Sequence, residues 1–106
     1  MASRAAGTYP PVPEPLAHPI VDTHTHLDFP DFDADRRELL AAARAGGVEK
    51  MVVLGVYEGN WQRLWDLVKA EPSLYAAFGL HPVYLDDHRP EHLLALGDWL
   101  TRLRGD

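Results

Sequence analysis

Apolar residues change their spacing several times along this chain, and each change marks a strand giving way to a helix. Ile20-Val21 predicts a short strand leading into Asp22-Thr23-His24-Thr25-His26-Leu27-Asp28. Asp33 or Asp35 can cap a helix running to about Ala45, with Leu39, Leu40 and Ala43 on its inner face and Gly46-Gly47 ending it. Met51-Val52-Val53-Leu54-Gly55-Val56 is apolar almost throughout, as suits a strand covered on both faces. Asn60 caps a second helix through about Ala70, in which Trp61, Leu64, Trp65 and Val68 keep the i, i+3, i+4, i+7 spacing, and Pro72 marks its end. Leu74-Tyr75-Ala76-Ala77-Phe78-Gly79 reads as a third strand, followed by Leu80-His81-Pro82. Pro90 then opens a third helix with Leu93, Leu96, Leu100 and Leu103 on one face.

One helix between successive strands is the signature of a parallel sheet. A small three-stranded open α/β domain has the same pattern, so periodicity alone leaves two architectures open. The strands themselves argue for something larger. Each reads as two-sided, and three strands with three helices cannot enclose one another. An eight-stranded α/β barrel takes roughly 31 residues per strand–helix unit. Residues 20–106 therefore hold about three such units. The expected fold is α/β: the N-terminal three strand–helix units of a TIM-type (β/α)8 barrel, incomplete in this chain and ending where a fourth strand is due.

Residues 1–19 differ in kind. Four of the nine prolines fall between Pro10 and Pro15, and each removes a backbone donor and fixes φ. The expectation is a disordered, polyproline-like tail, with the barrel part occupying 20–106.

Composition narrows the chemistry. No cysteine is present, which excludes a disulfide scaffold and any thiolate metal site. A metal must be held by imidazole and carboxylate, for which six histidines and sixteen acidic residues are available. The formal net charge of −6 argues against a whole-surface grip on nucleic acid. A phosphate-bearing substrate would draw its local positive charge from bound cations. No run approaches a membrane span and no secretory pattern follows Arg4, so the cytoplasm is the default location.

His24 and His26 stand two apart at the carboxyl end of a strand. Side chains at i and i+2 share a face, so both imidazoles can reach one divalent ion. Histidines buried beside an acid for structure alone are the competing reading. Asp22, two residues earlier, would share that face as a ligand-orienting partner or a direct ligand; a turn or cap aspartate is its bland alternative. Asp28 reads slightly better as a loop-solvating residue. His81 closes the third strand and would look into the same barrel mouth, able to bind a phosphate oxygen or transfer a proton; a turn histidine before proline is the alternative. His18, His88 and His92 read as solvated surface, and Trp61, Trp65 and Trp99 as packing. There is no Gly-rich phosphate loop, no Gly-x-Ser-x-Gly elbow and no nucleophilic cysteine.

Together, Ile20 to Asp28, the Val52-Val53-Leu54-Gly55-Val56 strand and Ala77-Phe78-Gly79-Leu80-His81-Pro82 resemble, in order and spacing, the TatD-like metal-dependent deoxyribonucleases. The Asp-x-His-x-His element alone is shared with the wider amidohydrolase-type barrels; the added Leu-Asp and the later Gly-Leu-His-Pro make the resemblance specific. It implies a distorted TIM-type barrel with two divalent metals at its carboxyl end, Mg, Mn or Zn being equally compatible, and hydrolysis of phosphodiester bonds in DNA. By resemblance His24 and His26 match the first two metal ligands, and His81 a histidine of the substrate-facing mouth. The family's Gly-Glu-x-Gly-Leu-Asp element, with its metal-bridging glutamate, has no counterpart here, nor do its later ligand histidines and late aspartate. The expected function is that of a TatD-type hydrolase represented by an inactive N-terminal segment. Two alternatives stand beside it: an amidohydrolase acting on C–N bonds, and a truncated metal-binding product that self-associates through exposed barrel edges.

Overall fold

A computed structural model describes residues 14 and 16–105. Three strands, β1 (Ile20–Thr25), β2 (Val48–Leu54) and β3 (Leu74–Ala77), form one parallel sheet in the order β1-β2-β3. They alternate with α1 (Arg36–Ala45), α2 (Trp61–Ala70) and α3 (Pro90–Arg102). Short 3-10 turns at Pro30–Phe32, Glu58–Asn60 and Pro82–Asp87 sit between each strand and the helix that follows. These three turns lie at the carboxyl ends of the strands, where parallel α/β folds build their sites.

The predicted elements are present, with shifted strand limits. β1 runs on through His24 to Thr25, β2 starts at Val48 rather than Met51, and β3 stops at Ala77. Gly47, at φ 109°, supplies the left-handed residue just past α1, a conformation that a Cβ disfavours. Leu40 of α1, Met51 and Val53 of β2, Leu64 of α2 and Leu74 of β3 form the core with Leu27, and Leu39, Ala43 and Val68 pack against it. One layer of helices thus covers one face of the sheet.

The expectation of strands covered on both faces holds for the central strand, where every residue from Met51 to Val56 is buried or half-buried, and fails for the two outer ones. β1 is exposed from Ile20 through His24, and in β3 buried Leu74 is followed by exposed Tyr75 and Ala77. The reason is geometric: α1 and α2 shield a single side, and no element among the described residues lies on the other. The apolar face predicted for α3 is likewise largely uncovered. Leu93 and Leu100 are exposed, while Leu96 and Leu103 are half-buried. α3 stands off the sheet, leaving a cavity of about 400 Å³ bounded by Leu100, Leu103, Trp65 and Phe78. Its main anchor is Trp99, whose ring lies 5.6 Å from Phe78 and 6.3 Å from Trp61, so the tryptophans do pack as expected.

Most of the proline-rich tail lies outside the described residues. Its last part is exposed, and Leu16 N–H donates to Gly46 O at 3.2 Å, beside the turn that ends α1.

Candidate metal centre

The histidine strand is not a regular one. Asp22 pairs with Met51 and Thr25 with Val53, so three steps along β1 match two along β2. The extra residue is a bulge, a device that bends a strand and re-aims its side chains. Asp22 stabilises it: the His24 N–H donates to Asp22 Oδ1 at 3.0 Å. The bond that Asp22 makes is therefore to the His24 main chain, a turn-like role that shapes the backbone under the imidazole. The His24 and His26 rings end 5.3 Å apart at 85° to one another. His24 is exposed and His26 half-buried, with the His26 Nδ1 out of solvent and without a hydrogen-bond partner.

After His26 the chain turns sharply and is tied down. Thr25 Oγ1 accepts from the Leu27 N–H at 3.1 Å, and the Phe29 N–H donates to His26 O at 3.0 Å. Phe29 stacks on His26, ring centroids 5.0 Å apart. Two arginines from different helices take the loop's carbonyls. Arg36 of α1 donates from Nε to Leu27 O at 2.6 Å and from Nη2 to Phe29 O at 2.8 Å. Arg63 of α2 donates from Nε to Asp28 O at 2.9 Å. The carboxylate of Asp33 bridges both guanidiniums, and these pairings hold its pKa below the ordinary value.

Asp28 is not a solvated loop residue. It is 1% exposed, and its Oδ2 accepts from Asn60 Nδ2 at 2.5 Å. Burial raises its pKa, against the lowering effects of a hydrogen bond from its own backbone and of the charges of His26, Arg63 and Arg36. Asn60 was expected to cap α2 with its side chain, but no such bond forms; the amide is spent on Asp28 instead.

His81 lies across the mouth, its ring centroid 6.4 Å from that of His26. Its Nδ1 accepts from the Val83 N–H at 3.0 Å, so the neutral ring carries its proton on Nε2. Two histidines assigned to solvated surface have other work. His88 is half-buried, and its Nε2 donates to His81 O at 2.7 Å. His92 is half-buried, and its Nδ1 accepts the Arg89 N–H at the start of α3. His18 is exposed, as expected. His26 thus has the ring of His24 on one side and that of His81 within 6.4 Å, and Asp22 accepts from the main chain of His24. Among the described residues no cluster of three or more His, Asp or Glu side chains is arranged to hold a metal ion.

The sequence profile described as TatD related DNase matches residues 21–105. The chain belongs to the TatD-related DNase family. Of the branches that Asp-x-His-x-His leaves open, the match falls on the nuclease-like one. The metal-dependent hydrolase YjjV of Escherichia coli is 35% identical over 100 residues, covering 81% of this chain and 39% of YjjV. YabD of Bacillus subtilis, also named a metal-dependent hydrolase, is 35% identical over 84 residues, 79% of this chain and 31% of its own length. The human deoxyribonuclease TATDN3 is 31% identical over 65 residues, 60% of this chain and 24% of TATDN3. The crystal structure of the TatD homologue YjjV superposes with a TM-score of 0.75 at 38% identity, over 80% of this chain and 33% of that one. The chain spans well under half the length of these relatives.

Several residues that shape this TatD-family site escaped the sequence reading. Arg36, Arg63 and Asn60 act across 7 to 35 positions of sequence, and no local pattern announces such partners. Phe29, Tyr57 and Tyr84 had a usable signal: each is an aromatic placed just beyond the carboxyl end of a strand.

Proposed function

We propose that this chain supplies the first strand–helix units of a TatD-type hydrolase that cleaves phosphodiester bonds in DNA with divalent metal ions, and that His24 and His26 are two of the metal ligands. The observation that carries this reading is the pair of imidazoles held 5.3 Å apart on a bulged strand end, with the His81 ring 6.4 Å from that of His26. The donor set suits a first-row divalent ion, and a half-buried ring with an unpartnered nitrogen is what a ligand position presents before it is filled. The names of the relatives, metal-dependent hydrolase and deoxyribonuclease, support both the metal and the substrate class.

Divalent ions bound at such a site lower the pKa of water and offset charge on the leaving oxygen. The residues of this chain position and bind. Asp22 fixes the bulge that sets the His24 ring, and the two-arginine clamp with Phe29 fixes His26. His81, with its proton held on Nε2 by the Val83 amide, donates a hydrogen bond to a phosphate oxygen. Two imidazoles make only part of a two-metal site, which also needs carboxylates.

The test is a manganese titration followed through the histidine ring resonances. Broadening is expected first at His24 and His26, well before His18 and His92. The double variant His24→Ala, His26→Ala is expected to bind at least about tenfold more weakly. Broadening spread evenly over all six histidines would sink the assignment. In a cleavage assay on single-stranded DNA, the 106-residue chain is expected to match the double variant. Metal-dependent turnover above that control would show that the remaining ligands are supplied in another way, for instance by a second copy.

A further inference from the structure

Beside the imidazoles lies an open cleft of about 200 Å³ lined by Phe29, Pro30, Asp31, Tyr57 and Tyr84. Its walls come from all three strand ends: the loop after β1, the first residues after Val56, and the 3-10 turn after β3. The rings form one continuous series with the site. Tyr57 lies 5.3 Å from Tyr84, Tyr84 6.4 Å from His81, His81 6.4 Å from His26, and His26 5.0 Å from Phe29. Two of the cleft's aromatics therefore touch the histidines that face the mouth.

We infer that this cleft is a nucleobase subsite, which receives the base adjoining the phosphate held at His24, His26 and His81. The inference rests on the proposed phosphodiester reading and names where the base goes. Charge decides between the two halves of a nucleotide. The cleft contains the carboxylate of Asp31 and no lysine or arginine, so it repels phosphate and admits a neutral ring. Aromatic π-faces lining a cleft are the usual platform for an unstacked base, and Asp31 can accept from an exocyclic amino group. The Tyr57 ring is also held in place. A Cβ at Gly59 would lie 3.1 Å from Tyr57 Cε2, so the glycine leaves just enough room for the ring to lie against the turn.

A comparison of two single-stranded oligonucleotides of equal length, one with bases and one fully abasic, tests this on the 106-residue chain in the presence of magnesium. The base-bearing strand is expected to shift the ring resonances of Phe29, Tyr57 and Tyr84, and to bind at least about fivefold more tightly than the abasic one. Tyr84→Leu should remove most of that difference while Tyr84→Phe keeps it. A purely structural tyrosine would instead change binding of both strands alike. Equal binding of the two strands, with shifts at His24, His26 and His81, would overturn the subsite and leave the phosphodiester reading standing. Shifts at Tyr57 and Tyr84 with none at the three histidines would also overturn it, because the cleft would then serve another site. If neither strand perturbs the three histidines or the tyrosines, the phosphodiester reading fails and the subsite fails with it.

Discussion

At the scale of single residues, Asp28 and Asp33 are neighbours with opposite electrostatics, and their pH signatures differ in sign. Asp28 is buried with Oδ1 unpartnered, and its pKa is raised above 3.8. The folded state then binds the proton more tightly than the unfolded one. Stability is highest below about 3.8 and falls as pH rises through the raised folded value. Asp33 has a lowered pKa, so its contribution is present above 3.8 and is lost as pH falls through the folded value. Replacing Asp28 by Asn removes the buried charge and keeps an acceptor for Asn60. Asp28→Asn is expected to be more stable than the parent at pH 7, by about 1 to 3 kcal/mol, with the gap closing toward pH 4. Urea denaturation of the metal-free protein at several pH values measures this. A gap that widens on acidification would mean that the nearby arginines and hydrogen bonds outweigh burial and the fold favours ionised Asp28.

Elements came through the sequence more clearly than the contacts between them. Helical spacing and the Gly and Pro boundaries placed all three helices to within a few residues, because each helix presents its own apolar stripe. The bulge in β1 has no such signature, since it is a mismatch with β2 and exists only once the strands pair. The regular i, i+2 geometry read from the sequence put His24 and His26 on one face. The structure reaches a similar pairing of rings by a bent strand held through Asp22. The loop after His26 depends in the same way on α1 and α2. Arg36 is the better buried of its two arginines, 19% exposed against 45% for Arg63, and it takes two carbonyls rather than one. Arg36→Met is expected to cost about 2 kcal/mol and Arg63→Met less than about 1. Hydrogen exchange at the Leu27 and Phe29 amides should accelerate more in the Arg36 variant. Equal effects would show that the bridge through Asp33, rather than the carbonyl bonds, holds the loop.

For the whole molecule, what matters is how much apolar surface the sheet and α3 leave open. In a closed barrel every strand is paired on both sides. Among the described residues β1 and β3 each have one unpaired edge, β1 is exposed through His24, and Leu93 and Leu94 are 65% and 75% exposed on α3. That some apolar surface would stay open was legible in the sequence, because three strands that read as two-sided cannot cover one another. The sequence did not show which surfaces would be left open, because that depends on α3 standing away from the sheet. Unpaired strand edges and contiguous apolar faces drive association between chains. A net charge of −6 opposes it, and that repulsion is screened within about 10 Å at 0.1 M salt. The 106-residue chain is therefore expected to self-associate at micromolar concentration, and more strongly as salt rises. Sedimentation velocity across a salt series should show the trend, and paired variants locate its source. Leu93→Glu with Leu94→Lys leaves net charge unchanged and removes the α3 face, while Val21→Lys blunts the β1 edge. If the helix variant restores the monomer and the edge variant does not, the α3 face drives association; the reverse assigns it to the sheet edge. A monomer at every salt concentration would mean that the exposed leucines and edges are too scattered to form an interface.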